Sequence, residues 1–493
     1  MPEEIITFSQ YINGHFEKGT EYFEGINPAN GEIWAKFPAA TKADVNRAVE
    51  AADAALFDGK WKDFTATQRG KLLHHLGDLI IEHAAELGEL ETIDSGKLAK
   101  ETRSQTAYVA DYYYYYAGLA DKIHGDVIPI DKSDMHVFTS REPIGVVAAI
   151  VPWNAQMFLS ATKIAPALAA GNTLVIKASE QAPAALFKFA ELIDKAGFPP
   201  GVVNIISGFA EPCGRVLTSH PKVSRVAFTG SPETARHIIR NTSNNFAHLS
   251  LELGGKSPII VFDDANIEGA INGIIAANYG ASGQSCVAGS RVFIQQSIFN
   301  DVIKEIAKRV RSIVIGDPFD ELTEVGPLAT TTQIKHCETV IKESIQQGAK
   351  LIVGGKQPKG FSSGYYFEPT LLVCQDQSIA SVKTELFAPV ISAMAFETEE
   401  EVIQMANDSE FGLGAGIFTE NLARAHRVSK QIRSGVVWIN TYRVISPLAP
   451  FGGFKQSGGS REAGLDVIYD YTRTKTVWIN TSDKPMSNPF VMR

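Results

Sequence analysis

Between residues 144 and 253 the chain alternates continuous apolar runs with stretches of helical character. Uninterrupted apolar runs indicate strands that are buried on both faces, and intervening helices indicate a parallel sheet covered on both sides. The runs are "IGVVAAIV", "TLVIK", "GVVNIIS", "RVAF" and "LSLEL". Helices are predicted between them, at 157–170, 182–196, 211–219 and 232–241.

A second alternation of the same kind extends from residue 258 to about residue 440. Its apolar runs are "PIIVF", "RVFI", "APVISAMAF", "LGAGIF" and "GVVWIN". The first 120 residues are rich in alanine and charge, and we expect them to be mostly helical. The predicted fold class is α/β, with two doubly wound parallel-sheet domains.

Two further segments fit neither domain. The alternating stretches "HVFTSRE" and "TKTVWIN" predict extended strands. They could form a small β arm for oligomerisation, and an ordinary edge strand is an equally good interpretation. The predicted organisation is a first domain from 1–120 and 144–253, a second domain from 254–456, and an oligomerisation arm with C-terminal tail from 121–143 and 470–493.

Charge and composition restrict the possible partners. The formal net charge is −9, which argues against general affinity for nucleic acid or an anionic membrane. No apolar run approaches the roughly 20 residues of a membrane span, and "MPEEIITFSQ" lacks the pattern of a signal peptide. We therefore expect a cytoplasmic protein without nucleic-acid or membrane partners.

The four cysteines lie far apart in the sequence, at Cys213, Cys286, Cys337 and Cys374. None forms a CxxC pair, so no metal site is expected. A single cysteine is more often a buried apolar residue than a nucleophile. Cys286 is unusual because it lies among small residues in "GQSCVAGSR", where a ligand could approach the backbone closely.

Several chemically suitable side chains follow the predicted strands of the first domain. The carboxyl ends of parallel strands are where open α/β sheets bind ligands. Asparagine there could donate to an oxyanion or merely cap a helix, glycine could admit a phosphate to a helix N-terminus, and a glutamate could be a solvated loop acid. The residues are Asn154, Lys177, Glu180, Gly230, Ser231 and Glu252.

At this point the sequence resembles the aldehyde dehydrogenase superfamily, of the NAD(P)-dependent, non-phosphorylating kind. The resemblance covers essentially the whole chain, and Cys286 follows Glu252 by 34 residues, as is typical of that family. The matching motifs are "PWN", "VIKASE", "FTGS", "LELGGKSP", "GQSCVAGSR", "ELFAPV" and "PFGGFKQSG". The chain departs from the usual pattern at Ala178, Ala210, Ala388 and Ser460, none of which removes a catalytic atom.

The resemblance implies a covalent mechanism. Cys286 would attack the aldehyde carbonyl, and the amide of Asn154 with the Cys286 backbone N–H would hold the resulting oxyanion. Hydride transfer would leave a thioester, which water activated by Glu252 would hydrolyse. Lys163 and Glu462 match positions linked to proton relay near this base.

The resemblance also implies that the first domain is a Rossmann-like cofactor domain and the second a catalytic domain. NAD is the expected cofactor, and NADP is possible but less favoured. The residues expected to bind the adenosine ribose, the pyrophosphate and the nicotinamide of this cofactor are Trp153, Lys177, Glu180, Gly230, Ser231, Glu385 and Phe387. For Phe387, packing in the core is the alternative.

A substrate channel is implied by the same resemblance. Small residues at Ala155 and Thr162, where relatives often carry aromatics, predict a wide channel. Arg443 would suit a substrate carboxylate, although it could instead pair with a surface acid. The predicted pocket consists of Tyr108, Tyr112, Ala155, Thr162, Ser285, Val287, Arg443 and Phe451.

The predicted activity is NAD-dependent oxidation of an aldehyde, with a semialdehyde or its lactol as hypothetical substrate. A narrower resemblance is to bacterial catabolic semialdehyde and hydroxybutyrolactone dehydrogenases. The alternatives are a CoA-acylating relative, against which Glu252 argues, a non-catalytic structural or binding protein on the same scaffold, and a thioesterase that needs no nicotinamide. By the same resemblance we expect a homodimer or homotetramer.

Overall fold

The computed structural model describes residues 5–486 and 488–491. The strands are β1 (Ile6–Thr7), β2 (Gln10–Ile12), β3 (His15–Glu17), β4 (Tyr22–Asn27), β5 (Glu32–Pro38), β6 (Met135–Pro143), β7 (Val146–Ile150), β8 (Thr173–Ala178), β9 (Val203–Ser207), β10 (Val223–Gly230), β11 (His248–Leu253), β12 (Pro258–Val261), β13 (Arg291–Gln295), β14 (Lys350–Val353), β15 (Thr370–Val373), β16 (Val390–Phe396), β17 (Phe411–Gly412), β18 (Gly414–Phe418), β19 (Val436–Ile439), β20 (Phe454–Lys455) and β21 (Thr472–Asn480).

The α-helices are α1 (Lys42–Phe57), α2 (Ala66–Glu82), α3 (Ala84–Ser95), α4 (Ala99–Leu119), α5 (Gln156–Ala169), α6 (Ala184–Ala196), α7 (Arg215–Ser219), α8 (Pro232–Asn241), α9 (Ile267–Asn278), α10 (Phe299–Arg311), α11 (Thr331–Gln346), α12 (Ala380–Lys383), α13 (Glu399–Asn407), α14 (Leu422–Gln431) and α15 (Val467–Asp470). None of the helices in the described part of the chain is long and apolar enough to cross a membrane.

The first seven-stranded sheet has the order β11–β10–β7–β8–β9–β2–β3. Strands β7 to β11 are parallel, as the apolar runs predict. Alternate residues of β7 enter different cores: Val147 and Ala149 pack with α2, α4, α5 and α6, whereas Val146 and Ala148 pack with α1, α7 and α8. Burial on both faces explains why these strands read as uninterrupted apolar runs.

The second seven-stranded sheet has the order β14–β15–β16–β13–β12–β18–β19. Only β14 is antiparallel to its neighbour; the other pairings are parallel. Ile260 and Phe293 face a core with α11 to α14, while Ile259 and Val292 face one with α9 and α10. The predicted α/β class with two doubly wound sheets is thus confirmed.

The expectation of a mostly helical N-terminal region is wrong for residues 5–38, which contain β1 to β5; α1 to α4 follow. Strands β2 and β3 extend the first sheet as an antiparallel hairpin. The two-residue turn is Asn13–Gly14, with both φ angles positive at 52° and 79°. Asn-Gly is a strong hairpin signal, but strands of three residues are too short to show a period of two.

Strands β6 and β21 form a separate two-stranded antiparallel ribbon with nine residue pairs. It is not an edge of either seven-stranded sheet, and Trp478 and Ile479 on β21 are 56% and 45% exposed. A separate ribbon that exposes Trp478 and Ile479 is consistent with the predicted arm, whose role in oligomerisation stays a prediction. Residues 487, 492 and 493 of the predicted tail lie outside the described residues.

Candidate active site

A cavity of about 430 Å³ lies between α4, α5, the loop that carries Cys286 and the segment 443–451. Its wall includes every residue predicted for the substrate pocket, together with Cys286, Asn154 and Glu462. The pocket residues are Tyr108, Tyr112, Ala155, Thr162, Ser285, Val287, Arg443 and Phe451. The structure therefore brings together residues from distant parts of the sequence around one thiol.

The Cys286 loop is held by unusually close backbone packing. Ala281, Ser282 and Gly283 all have positive φ, at 52°, 53° and 73°. A Cβ on Gly283 would lie 2.2 Å from the carbonyl carbon of Ala388, and one on Gly255 would lie 2.5 Å from the carbonyl oxygen of Cys286. The glycines around the cysteine thus allow the loop to pack against its neighbours.

The Cys286 thiol lies in a surrounding that disfavours its ionisation. Burial raises its pKa to about 12, and the carboxylates of Glu385 and Glu252 act in the same direction. Arg443 and a hydrogen bond from the Val287 backbone oppose the increase. Since the thiolate is the nucleophilic form, chemistry at this sulfur requires a nearby proton acceptor.

Asn154 presents its amide beside the same loop. Its Nδ2 donates to the carbonyl oxygen of Gln284 at 3.0 Å. The side chain makes no cap for α5, whose N-cap residue is Ala155. Because an amide nitrogen has two hydrogens, the second remains for a ligand in the cavity.

Glu252 is the penultimate residue of strand β11, is only 3% exposed, and is not a solvated loop residue. Neither carboxylate oxygen has a hydrogen-bond partner in residues 5–486 and 488–491. Burial, followed by the negative charge of Glu462, raises its pKa well above 4.5, while Lys163 opposes that rise. An unpartnered buried carboxylate with a raised pKa is a candidate general base.

Lys163 and Glu462 form a buried ion pair whose charges influence Glu252. The Lys163 ammonium also donates to Thr229 Oγ1 at 2.7 Å, and the Thr162 hydroxyl donates to Glu462 Oε2 at 2.7 Å. Sequence reasoning did not identify Thr229, although it belongs to the "FTGS" motif. These groups form a continuous polar network between the cavity and the first sheet.

The predicted adenosine and pyrophosphate residues lie at the carboxyl edge of the first sheet. Lys177 Nζ is 3.2 Å from Glu180 Oε2 at the end of β8. Ser231 caps α8 by accepting the Thr234 backbone N–H at 3.2 Å. The chain proceeds from β7 to one side through β8 and returns to the other side at β10, which is the topological switch point where such sheets bind ligands.

Gly230 ends β10 where the chain turns into the Ser231 cap. A Cβ there would lie 2.4 Å from the ring of Phe228. A side chain at this position would therefore clash with the Phe228 ring unless that ring moved.

Glu385 and Phe387, the two residues predicted to bind the nicotinamide end of the cofactor, lie in the segment that precedes β16 of the second sheet. Glu385 Oε1 accepts the Gly255 N–H at 2.8 Å, and burial raises the pKa of Glu385 to about 7. Phe387 is partly exposed and packs edge-on against Trp153, with ring centroids 5.5 Å apart. Its φ of 50° is unusual for a bulky residue. The side chain is therefore not an ordinary core residue.

Arg443 lines the cavity without a counter-ion. Its Nη1 donates to the carbonyl oxygen of Ala276 at 3.1 Å, and no carboxylate of the described residues lies within ion-pair distance. The alternative that it pairs with a surface acid is therefore wrong for this structure. Its φ of 63° places it in a left-handed backbone conformation.

Other wall residues were not identified from the sequence. On α4 they include Glu101 and Gln105, which precede Tyr108 and Tyr112 at helical spacing and so share a face with them. The helical spacing of these four residues could have identified Glu101 and Gln105 as pocket residues from the sequence. The remaining ones are Lys97, Ser104, Phe158, Leu159, Ala281, Gln284, Val436, Val444, Ile445, Ser446, Ala449, Pro450 and Ala463.

The other three cysteines, Cys213, Cys337 and Cys374, are free and buried in the cores, away from the cavity. Among the described residues, no group of three or more His, Cys, Asp or Glu side chains is arranged to hold a metal ion.

Comparison with known proteins identifies the family of the chain. The family model described as "Aldehyde dehydrogenase family" matches residues 15–477. A (Z)-2-((N-methylformamido)methylene)-5-hydroxybutyrolactone dehydrogenase of Acinetobacter baylyi is 58% identical over 99% of both chains. Human mitochondrial aldehyde dehydrogenase is 40% identical over 98% of this chain and 93% of its own.

Among solved structures, betaine aldehyde dehydrogenase of Staphylococcus aureus in complex with NAD+ superposes with a TM-score of 0.96 at 38% identity. The match covers 99% of this chain and 97% of that one. The predicted enzyme class is thus confirmed over nearly the full length. The chain belongs to the aldehyde dehydrogenase family of oxidoreductases.

Proposed function

We propose that this protein oxidises an aldehyde to the carboxylic acid with NAD, through a covalent intermediate on Cys286. The observation that carries the proposal is the position of the Cys286 thiol in the cavity wall with Asn154, while the unpartnered carboxylate of Glu252, buried outside that wall, is near enough for its charge to raise the pKa of the thiol. A nucleophile, an oxyanion donor and a base are the groups that acyl chemistry on an aldehyde requires.

In this reaction the Cys286 sulfur forms a bond to the aldehyde carbon, and the carbonyl π electrons move to the oxygen. The second amide hydrogen of Asn154 stabilises that oxyanion. When bound, NAD supplies the acceptor for the hydride that leaves this carbon. The carbonyl re-forms as a Cys286 thioester, and water then displaces the thiolate to give the acid.

Proton transfer falls to Glu252. The high pKa of the Cys286 thiol requires an acceptor, and the raised pKa of Glu252 brings its proton affinity closer to that of the thiol. The same carboxylate would later take a proton from the attacking water. Lys163 and Glu462 act on the base through their charges, without a hydrogen bond to it, and their polar network would carry the proton away from the cavity.

The crevice at the first sheet fits the cofactor. Lys177 and Glu180 offer a donor and an acceptor for ribose hydroxyls, and the N-terminus of α8 at Ser231 offers free N–H groups for a pyrophosphate. Trp153 and Phe387 offer an aromatic wall for the nicotinamide. The NAD+ complex of the Staphylococcus aureus relative supports this choice.

NAD should be preferred over NADP by at least about tenfold in kcat/KM, since a carboxylate beside a 2′-phosphate is repulsive and 1.4 kcal/mol gives that factor. Glu180 is the carboxylate that would repel the 2′-phosphate. The positive charge of Lys177 beside it offsets part of that repulsion, so we expect a preference for NAD and not exclusion of NADP. Steady-state rates with both cofactors test this, with Glu180→Gln as the matched variant that should narrow the ratio. Equal efficiency with both cofactors in the native protein would show that Glu180 does not contact the ribose.

For the substrate, we propose a semialdehyde or its lactol that carries a carboxylate. Arg443 is a cavity-lining cation without a counter-ion, and a planar guanidinium binds carboxylates through paired hydrogen bonds. The Acinetobacter baylyi relative is named for a 5-hydroxybutyrolactone. Such a ring is the closed form of a molecule that bears both an aldehyde and a carboxylate.

Arg443→Ala should raise KM for succinic semialdehyde at least several-fold, because a hydrogen bond to a charged group contributes roughly 1.5–3 kcal/mol. KM for hexanal, a neutral aldehyde of similar size, should hardly change. Arg443→Lys keeps the charge but not the paired hydrogen-bond geometry. Its KM for succinic semialdehyde should therefore lie between those of the native protein and Arg443→Ala. A parallel rise in KM for both aldehydes would mean that Arg443 only supports the loop.

The rival activities make different demands. A CoA-acylating enzyme would need CoA for turnover, a thioesterase would need no nicotinamide, and a structural protein would show neither activity. NADH formation from an aldehyde without CoA distinguishes the proposed reaction from all of them. The cytoplasmic location and the homodimer or homotetramer also stay predictions.

A further inference from the structure

One amide side chain of the cavity wall, that of Gln105 on α4, is held at its oxygen end by a buried ion pair. Lys97 Nζ lies 3.0 Å from Glu91 Oε1 and donates to Gln105 Oε1 at 2.7 Å. Lys97 and Glu91 are each 2% exposed, and the other oxygen of Glu91 accepts the Met157 backbone N–H at 3.3 Å. The cation that binds Gln105 is therefore itself fixed, by a carboxylate that is anchored to α5.

The ammonium of Lys97 determines how the Gln105 amide is oriented. An ammonium group only donates hydrogen bonds, so the amide atom that it contacts must be the oxygen and not the nitrogen. The amide nitrogen, Nε2, makes no hydrogen bond within residues 5–486 and 488–491, and it is not one of the sealed, unpartnered polar atoms of that part of the chain. Nε2 is therefore an accessible donor, and the cation at the other end of the amide strengthens it.

The position of Gln105 on α4 shows that its accessible surface faces the cavity. On one side, Tyr112 lies about 20° away around the helix and lines the cavity. On the other side, Val109 lies about 40° away and is 0% exposed. The solvent-exposed residues Ala107 and Asp111 lie on the opposite face of the helix, about 160° and 120° away. Gln105, which is itself partly exposed and lines the cavity, thus has the cavity as its open side.

The charges near Gln105 favour an uncharged acceptor over an anion. The charge of Lys97 is compensated by Glu91. Glu101, one turn earlier on α4, lines the cavity as a carboxylate whose hydrogen bond is to the Ala281 N–H and not to a cation. Its negative charge disfavours a second anion beside it. A carbonyl oxygen without charge is therefore the group that the Gln105 N–H suits best.

We propose that Gln105 is a specificity-determining residue whose amide donates a hydrogen bond to an uncharged carbonyl oxygen of the substrate, on a ketone or amide group distant from the aldehyde carbon. This inference rests on the proposed function, because it assumes that the aldehyde carbon lies at Cys286, in the same cavity. In addition to the carboxylate proposed for Arg443, the substrate thus carries a second oxygen acceptor that is neutral.

The test uses two pairs of aldehydes in which a carbonyl oxygen is exchanged for a methylene group of similar size. They are 3-acetylbenzaldehyde with 3-isopropenylbenzaldehyde, and the two corresponding 4-substituted compounds. The quantity measured is the ratio of kcat/KM, acetyl over isopropenyl, in the native protein, Gln105→Glu and Gln105→Met. The difference in intrinsic reactivity within a pair is the same in every protein, so a change in the ratio reports the contact. In at least one pair the ratio should fall by about three- to tenfold in both variants, the range for a hydrogen bond between uncharged groups.

Gln105→Glu separates donation to the substrate from support of Lys97. Glutamate can still accept the Lys97 ammonium but has no N–H, whereas methionine lacks both functions. If Gln105 only supports Lys97, Gln105→Glu keeps the native ratio in both pairs, and that result overturns the proposal. Asp111→Asn, on the solvent side of the same helix, is the matched control and should leave both ratios unchanged. A comparable fall in this control would also overturn the proposal, because the effect would then be a general disturbance of α4.

Calorimetric binding of the corresponding acetylbenzoates and isopropenylbenzoates gives the same comparison without turnover. A ratio of affinities that falls in Gln105→Glu, without NADH formation in the native protein, would refute the proposed reaction but not the role of Gln105. NADH formation with ratios that do not respond to Gln105→Glu would refute only that role.

Discussion

Replacement of Cys286 by alanine is expected to reduce NADH formation from an aldehyde by at least about 10⁴-fold, because a missing nucleophile removes a bond-forming step that binding cannot replace. The side chain lies in the cavity wall, whereas the residues proposed to bind the adenosine and pyrophosphate ends of NAD lie at the strand ends of the first sheet. Cofactor affinity in Cys286→Ala, measured by calorimetry, should therefore stay close to that of the native protein.

The other cysteines provide matched controls. Cys213, Cys337 and Cys374 are 0%, 0% and 3% exposed, and none lines the cavity. Their alanine variants lose only a small buried side chain, so stability should fall modestly and turnover of the folded protein should be nearly unchanged. Normal turnover in Cys286→Ala, or comparable loss in one of the three controls, would contradict the assignment of the nucleophile.

Glu252→Gln should slow turnover by about 10²–10⁴-fold, the range that a positioned general base contributes. Glutamine keeps the size of the side chain but cannot accept a proton at pH 7. In the native protein, activity should fall as pH decreases through the raised pKa of Glu252, because only the ionised carboxylate is a base. Glu252→Gln should lack that limb of the pH–rate profile.

Single-turnover kinetics separates the two steps that Glu252 would serve. If hydrolysis of the thioester suffers more than attack by Cys286, the variant should release one equivalent of NADH per site and then stop. A variant that retains the native rate and the native pH profile would exclude Glu252 as the base. Circular dichroism checks that both proteins are folded.

Much of the fold was predictable because local patterns and burial agree. The apolar runs around Val147 and Ile260 are continuous since both faces of each sheet are covered by helices. The hairpin at Asn13–Gly14 was missed because its strands have three residues each. Only the Asn-Gly turn could have identified it, and the helical pattern of the following residues determined the prediction for the whole region.

The candidate site was predictable where residues follow strands or match a family motif. Asn154, Glu252 and Cys286 were recognised in this way, and the structure places them around one cavity or next to it. The partnerships of these residues were not predictable. That Ala281 binds Glu101 depends on a contact across 180 residues, and no local period encodes it.

The most direct test of the central claim is mass analysis of the trapped intermediate. The native protein and Glu252→Gln are each mixed with NAD and an aldehyde, quenched in acid at successive times within the first turnover, and digested. The account predicts that the peptide containing Cys286 carries the mass of the acyl group, that this adduct requires NAD, and that hydroxylamine removes it. An acyl group on a different residue, or NADH release with every Cys286 thiol unmodified at all times, would contradict it.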